Sequence, residues 1–265
     1  MLPLIGMVFL ISRRWSCRIV ALVAGALAVN GVVLCRTRSA FIGLTCGILA
    51  AFLTAPRVKR YRIHAMMVCG GLLAFCLTDN HFWDRMETLT NKTTLETDAA
   101  TVSRTEIWKI SLAMLMDYPE GVGPGNFPKM IGKYNWKYHK RSTHNTVVVC
   151  FTELGVAGGI IFTLLLLGSL RYLYLSSKLA EQTSDPVETR LMTYGILVAL
   201  VTYFVTGLGT ERFYCESFWW IMALPLCLYR MVVREVAAYA EVPALWEECD
   251  LEEPYVYATE PQLQA

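Results

Sequence analysis

The chain has 265 residues, 55% hydrophobic and only 17% charged, with 24 Lys+Arg against 22 Asp+Glu and a mean hydropathy of +0.41. A soluble domain carries about 25% charged residues, so this composition excludes a water-covered globule and a disordered chain, and the charge balance excludes a strongly basic nucleic-acid binder. Nine cysteines without a Cys-x-x-Cys pair exclude a small disulfide scaffold; Cys46, Cys69, Cys76, Cys150 and Cys227 sit in apolar runs as small hydrophobes. What remains is an all-α polytopic membrane protein.

Apolar stretches run over 1–11, 19–35, 39–56, 63–78, 145–170, 191–209 and 213–233. A helix needs about 20 apolar residues to cross the hydrocarbon core. Met1 to Ile11 is too short, and its positive charges, Arg13 and Arg14, follow the apolar run instead of preceding it as in a secretory signal. It reads as the tail of a helix whose beginning is missing, and the chain as the C-terminal part of a longer protein. The other stretches predict about six complete spans, with 63–78 extended by interfacial His81, Phe82 and Trp83.

Basic residues orient such a bundle. Arg13, Arg14 and Arg18 form one cluster, Arg57, Lys59, Arg60 and Arg62 a second, and Arg171, Lys178 and Arg190 a third. Alternate crossings put all three on the cytoplasmic side and the segment 79–143 outside. The division is therefore a transmembrane unit, 1–233, and a cytoplasmic tail, 234–265. The tail has acidic residues from Glu241 to Glu260, prolines and no late basic residue, and reads as a solvated, largely disordered end.

Arg36 and Arg38 break the charge rule by lying at the outer mouth between two spans. Snorkelling to lipid headgroups is one reading. The other is a phosphate site, because a guanidinium fork holds phosphate oxygens in bidentate fashion. Two positions apart, the pair point to nearly opposite sides of a helix, and the small neighbours Thr37, Ser39 and Ala40 favour Arg38 as the inward one.

Within the external segment, Ser103-Arg104-Thr105-Glu106 reads as a capping box. It predicts an amphipathic helix that starts there and ends before Pro119, lying on the membrane surface or roofing the bundle. Arg104 then falls in a first turn whose free N–H groups attract anions, or is merely solvated. The run Pro119-Glu120-Gly121-Val122-Gly123-Pro124-Gly125-Asn126-Phe127 predicts a tight external turn, since no strand precedes it and no helix clearly opens from it, as a dinucleotide loop requires. His144 stands where the external segment meets the span 145–170. No second His or carboxylate is at metal-ligand spacing from it, and a histidine placed there is either structural or a general base near neutral pH. Glu153, about two turns into the same span, is a costly intramembrane carboxylate, and therefore paired or functional. Lys129, Lys133, Lys137, Lys140 and Arg141, set among Tyr134, Trp136 and Tyr138, read as headgroup or acceptor contacts or as a plain interfacial surface.

Taken in order, Thr37-Arg38-Ser39-Ala40, the Arg104–Asp117 helix with its Trp, Pro119-x-Gly-x-Gly-x-x-x-Phe127 and His144-Asn145 ahead of Glu153-x-Gly155-x-x-Gly158 resemble the O-antigen ligase and polymerase family of bacterial envelope enzymes, over about residues 19–233. The resemblance implies a glycosyltransferase that needs no metal or other cofactor. It implies as partners an undecaprenyl-diphosphate-linked glycan donor and an acceptor hydroxyl on lipid A core, a growing polysaccharide or a protein. The reaction would take place at the outer face of the inner membrane. It further implies that Arg38 and Arg104 hold the donor's diphosphate and that His144 is the base, with Asn145, Glu153, Gly123 and Gly125 in support. Family members usually carry about a dozen spans, so this chain would match the last six. The rival readings are a transporter or flippase fragment for lipid-linked glycans, which would need no base at His144, and a catalytically dead fragment.

Overall fold

The computed structural model describes residues 1–35, 37–78 and 99–249, with side chains for all of these except 99–101 and 239–249. Arg36, the aromatic end at 81–83, the first part of the external segment and the tail beyond Cys249 lie outside the described residues. All regular structure among the described residues is helical: α1 (Leu2–Ile11), α2 (Trp15–Cys35), α3 (Arg38–Thr54), α4 (Arg60–Leu77), α5 (Ala99–Asp117), α6 (Phe127–Tyr134), α7 (Thr146–Leu179), α8 (Pro186–Gly209) and α9 (Glu216–Cys249), with short 3-10 turns between some of them.

Among the described residues, three helical segments are long and apolar enough to cross a membrane: α2, Thr146–Gln182 and α8. Helices α3 and α4 pass that test only together, as a pair bent by 104°. Pro56 ends α3, because its ring fixes φ and it lacks an N–H, and a 3-10 turn at Arg57–Lys59 redirects the chain into α4. This count falls short of the predicted six. The stretches 39–56 and 63–78 yield helices of 17 and 18 residues that begin on Arg38 and Arg60, and α9 carries Arg230 and Arg234 in its apolar half. Helix α9 passes the expected border at Val233 without a break and runs to Cys249.

The largest buried core joins α7, α8 and α9 around Val149, Phe162, Ile196, Leu200, Phe218, Ile221 and Val232. Phe162 and Phe218 stack there at 5.8 Å. Helix α3 lies flat against α8 because it presents glycines: a Cβ on Gly43 or Gly47 would come within 2.0 or 2.1 Å of the Thr206 or Thr202 hydroxyl. Small residues permit such close approach in apolar bundles. By contrast α2 is largely uncovered, with Val20, Leu27 and Leu34 each more than 60% exposed.

The bundle has two chemically different ends. At one, Leu10, Ala55, Ile63 and Leu191 pack together, Lys59 Nζ donates to Leu10 O at 3.0 Å, and Arg13 pairs with Asp185 at 3.4 Å. The three basic clusters therefore gather at this end. The other holds the N-termini of α3, α7 and α9 together with α5 and α6, which share a small core of Ile107, Met114, Phe127, Ile131 and Tyr138.

Candidate functional site

Helix α7 opens on Asn145, whose side chain accepts from Val147 N–H at 2.9 Å and Val148 N–H at 3.1 Å. This N-cap fixes where the helix begins, and so where the preceding residue stands. That residue is His144, held in the left-handed region at φ 51°, a conformation uncommon outside glycine. Its other neighbour, Thr143, is fully buried. The Thr143 hydroxyl donates to Asn145 O at 2.9 Å, and its carbonyl accepts from Trp108 Nε1 of α5 at 2.9 Å. His144 is thus clamped from both sides while its own side chain remains only half-buried.

Arg104 lies one turn before Trp108 on α5, half-buried, and its charge acts on His144. Burial, then the charges of Arg104 and Arg141, push the imidazole below its usual pKa. Arg104 is not in a first turn. Helix α5 begins at Ala99, so the predicted capping box is mid-helix: Thr105 Oγ1 donates back to Val102 O at 2.9 Å, and Glu106 accepts from the Tyr138 hydroxyl instead of capping. The helix continues N-terminally because Ala99 and Ala100 are strong helix formers. The helix-dipole argument for an anion at Arg104 therefore lapses, and its side chain and position remain.

Arg38 opens α3, half-buried, and reaches the same end through its neighbour. Ser39 Oγ pairs with Thr210 Oγ1 at 2.6 Å, and Thr146 Oγ1 donates to Thr210 O at 3.3 Å. Gly209 packs against Ser39 with no room for a Cβ, which would stand 2.7 Å from the serine Cβ. Ser39, Thr210 and Thr146 therefore tie the first turns of α3 and α7 together. The connection between α8 and α9 also brings Arg212, whose N–H donates to Thr146 Oγ1 at 3.0 Å. Sequence reasoning passed over Arg212, although it breaks the charge rule in the same way as Arg38.

Glu153 proves to be paired. Its carboxylate, 2% exposed, accepts from Gly125 N–H at 2.8 Å, Phe127 N–H at 3.0 Å and the Tyr214 hydroxyl. It thereby pulls the glycine-rich turn onto α7. Backbone bonds complete the lock: Val122 N–H to Thr152 O at 3.0 Å, Gly123 N–H to Glu153 O at 2.9 Å and Val156 N–H to Pro119 O at 2.9 Å. These bonds need α7 to break. It does so at Gly155, φ 70° and ψ −171°, a region essentially reserved to glycine. The facing Gly121 is equally constrained, since its Cβ would lie 2.4 Å from Glu153 O. Gly123 and Gly125 have positive φ and form this turn. Glu153, Gly123 and Gly125 thus fasten the turn to α7 about two turns beyond His144.

Farther out, Trp136, 75% exposed, stacks on His139 at 4.4 Å. Lys137 lies over the Tyr138 ring at 5.2 Å.

The family model described as O-antigen ligase matches residues 20–163, which takes in Arg38, Arg104, His144 and the glycine lock. Searches among curated proteins and among solved structures gave no match.

Proposed function

Because this chain belongs to the O-antigen ligase family, we propose that it moves a glycan from an undecaprenyl-diphosphate carrier to an acceptor hydroxyl at the outer face of the bacterial inner membrane. In this reading His144 is the general base and Arg38 and Arg104 hold the diphosphate. The acceptor is a hydroxyl of lipid A core, a growing polysaccharide or a protein. The basic clusters mark the cytoplasmic end, the external segment 79–143 lies outside, and the tail from 234 is cytoplasmic. Six crossings carry the unit 1–233, with α3, α4 and α9 joining the longer apolar helices.

The observation that carries this reading is the placement of a half-buried imidazole under the field of Arg104, at the bundle end where Arg38 also begins its helix. The chemistry follows from that placement. The acceptor O–H gives its proton to the His144 imidazole, and its oxygen forms a bond to the anomeric carbon. The carbon–oxygen bond to the diphosphate breaks, and its electron pair leaves with undecaprenyl diphosphate. Guanidinium groups set against that growing charge lower the barrier, as fixed donors do wherever charge develops. A diphosphate is a good leaving group, so neither a metal nor a proton-donating acid is required. Burial and the neighbouring cations keep His144 neutral around pH 7, the form a base must have. The same cations attract the donor. Its negative diphosphate, once bound, offsets part of the positive field these cations set on His144.

Binding of undecaprenyl diphosphate to Arg38→Ala and Arg104→Ala variants tests the arrangement. Hydrogen bonds to charged groups are worth about 1.5–3 kcal/mol each, so each variant should bind about 10- to 100-fold more weakly. Wild-type affinity in both would remove the diphosphate clamp.

A further inference from the structure

Arg212 stands at the same end of the bundle as Arg38 and has no part in the donor site proposed so far. It stands in the connection between α8 and α9, and that connection is held rigidly. Its own N–H is bonded to Thr146, and Thr210 is bonded to both Thr146 and Ser39. Phe213 is buried, with its carbonyl accepting from Trp219 Nε1 at 2.9 Å, and Tyr214 reaches Glu153. The backbone of Arg212 is therefore fixed between the start of α3, where Arg38 is, and the start of α7, two residues after His144.

Its side chain is half-buried, and its Nε is shut off from solvent with no hydrogen-bond partner among the described residues. The carboxylates near it in the chain do not answer it. Glu153 is committed to Gly125, Phe127 and Tyr214. The carboxyl of Glu211 is pushed up by burial and by the charge of Glu153, opposite to the effect of a guanidinium at its side. Glu216 is exposed in the first turn of α9. A desolvated N–H without an acceptor is costly, and a fixed guanidinium fork matches phosphate oxygens.

We propose that Arg212 is a third guanidinium of the donor site, taking a phosphate oxygen of the lipid diphosphate from the α8–α9 connection. This rests on the reading of Arg38, Arg104 and His144 given above. The arginines then divide their work. The charge of Arg104 is felt by His144, so losing it alters both donor binding and the base. The cations acting on His144 are Arg104 and Arg141, so losing Arg212 weakens donor binding and leaves the base where it is.

The test uses the full chain in nanodiscs, with undecaprenyl diphosphate as the probe and transfer measured across pH. Arg212→Gln should weaken binding about tenfold and raise the KM for donor in parallel. Arg212→Lys should recover part of the loss, and the acid limb of the pH–rate profile should stay at its wild-type position in both. Wild-type affinity in a folded Arg212→Gln overturns the proposal, and so does wild-type affinity in Arg212→Lys alongside a Gln variant that fails to fold. If Arg38→Ala or Arg104→Ala still lose binding, only the role of Arg212 falls; if they also bind normally, the donor-site reading falls with it. A headgroup contact would show as lost sensitivity to phosphatidylglycerol in the nanodisc with undecaprenyl diphosphate affinity unchanged, and that also overturns the proposal.

Discussion

Replacing Glu153 with alanine removes the acceptor shared by the Gly125 amide at 2.8 Å, the Phe127 amide at 3.0 Å and the Tyr214 hydroxyl. Each hydrogen bond to a charged group contributes about 1.5–3 kcal/mol. The two amides set an upper range of about 3–6 kcal/mol, which non-additivity brings to roughly 3 kcal/mol. For a chain of this size 1 kcal/mol corresponds to about 2–4 °C, so the midpoint of thermal unfolding should fall by roughly 6–12 °C. Glu153→Gln keeps one carbonyl oxygen but turns an NH₂ toward the second amide, and should lose about half as much. The assay is unfolding in detergent followed by tryptophan fluorescence, paired with glycan transfer well below all three midpoints. The midpoints should rank wild type above Gln above Ala, with transfer kept within a few-fold in the folded variants. An unchanged midpoint with abolished transfer would refute the bracing role and put Glu153 in the chemistry.

Gly155→Ala forces a side chain into the glycine-only backbone region, at about 1–3 kcal/mol, with its Cβ 2.3 Å from the Glu120 carbonyl carbon. It should lower the unfolding midpoint and loosen the 119–125 turn, seen as faster amide exchange there. Gly43→Val should push α3 off α8 and move Arg38 with it, so undecaprenyl diphosphate binding should fall even though no polar group has changed. The pH dependence of kcat/KM should show an acid limb below the ordinary histidine value, because burial and then Arg104 and Arg141 depress His144. Activity is lost as pH falls through that lowered pKa and His144 becomes protonated. Arg104→Gln removes one depressing charge, so its limb should move to higher pH; an unmoved limb would separate Arg104 from His144.

Much of the bundle was legible because long apolar runs admit few alternatives. Residues 19–35, 145–170 and 191–209 predicted helices that the structure contains, and the tight turn within 119–127 followed from its glycines and prolines, although α6 opens at its Phe127 end. The bend between α3 and α4 was less legible. Pro56 announces a break, but its 104° angle is set by packing against α8 and α2. The start of α5 was misjudged because Ser103 to Glu106 fits a cap locally, while Ala99 and Ala100 let the helix begin a turn earlier and Tyr138, far along the chain, claims Glu106. Glu153 stands out in the sequence as a costly intramembrane carboxylate, yet its partners Gly125 and Tyr214 lie 28 and 61 positions away, beyond any local pattern. Arg212 was overlooked because only a few polar residues separate its two flanking apolar stretches, although the logic that selected Arg38 applied to it equally.

The most direct test of the account is the His144→Ala variant, measured for glycan transfer and for undecaprenyl diphosphate binding in the same preparation. General-base catalysis contributes about 10²–10⁴-fold, so transfer should fall at least about 100-fold while binding stays within a few-fold of wild type. Transfer at a near wild-type rate would contradict the account.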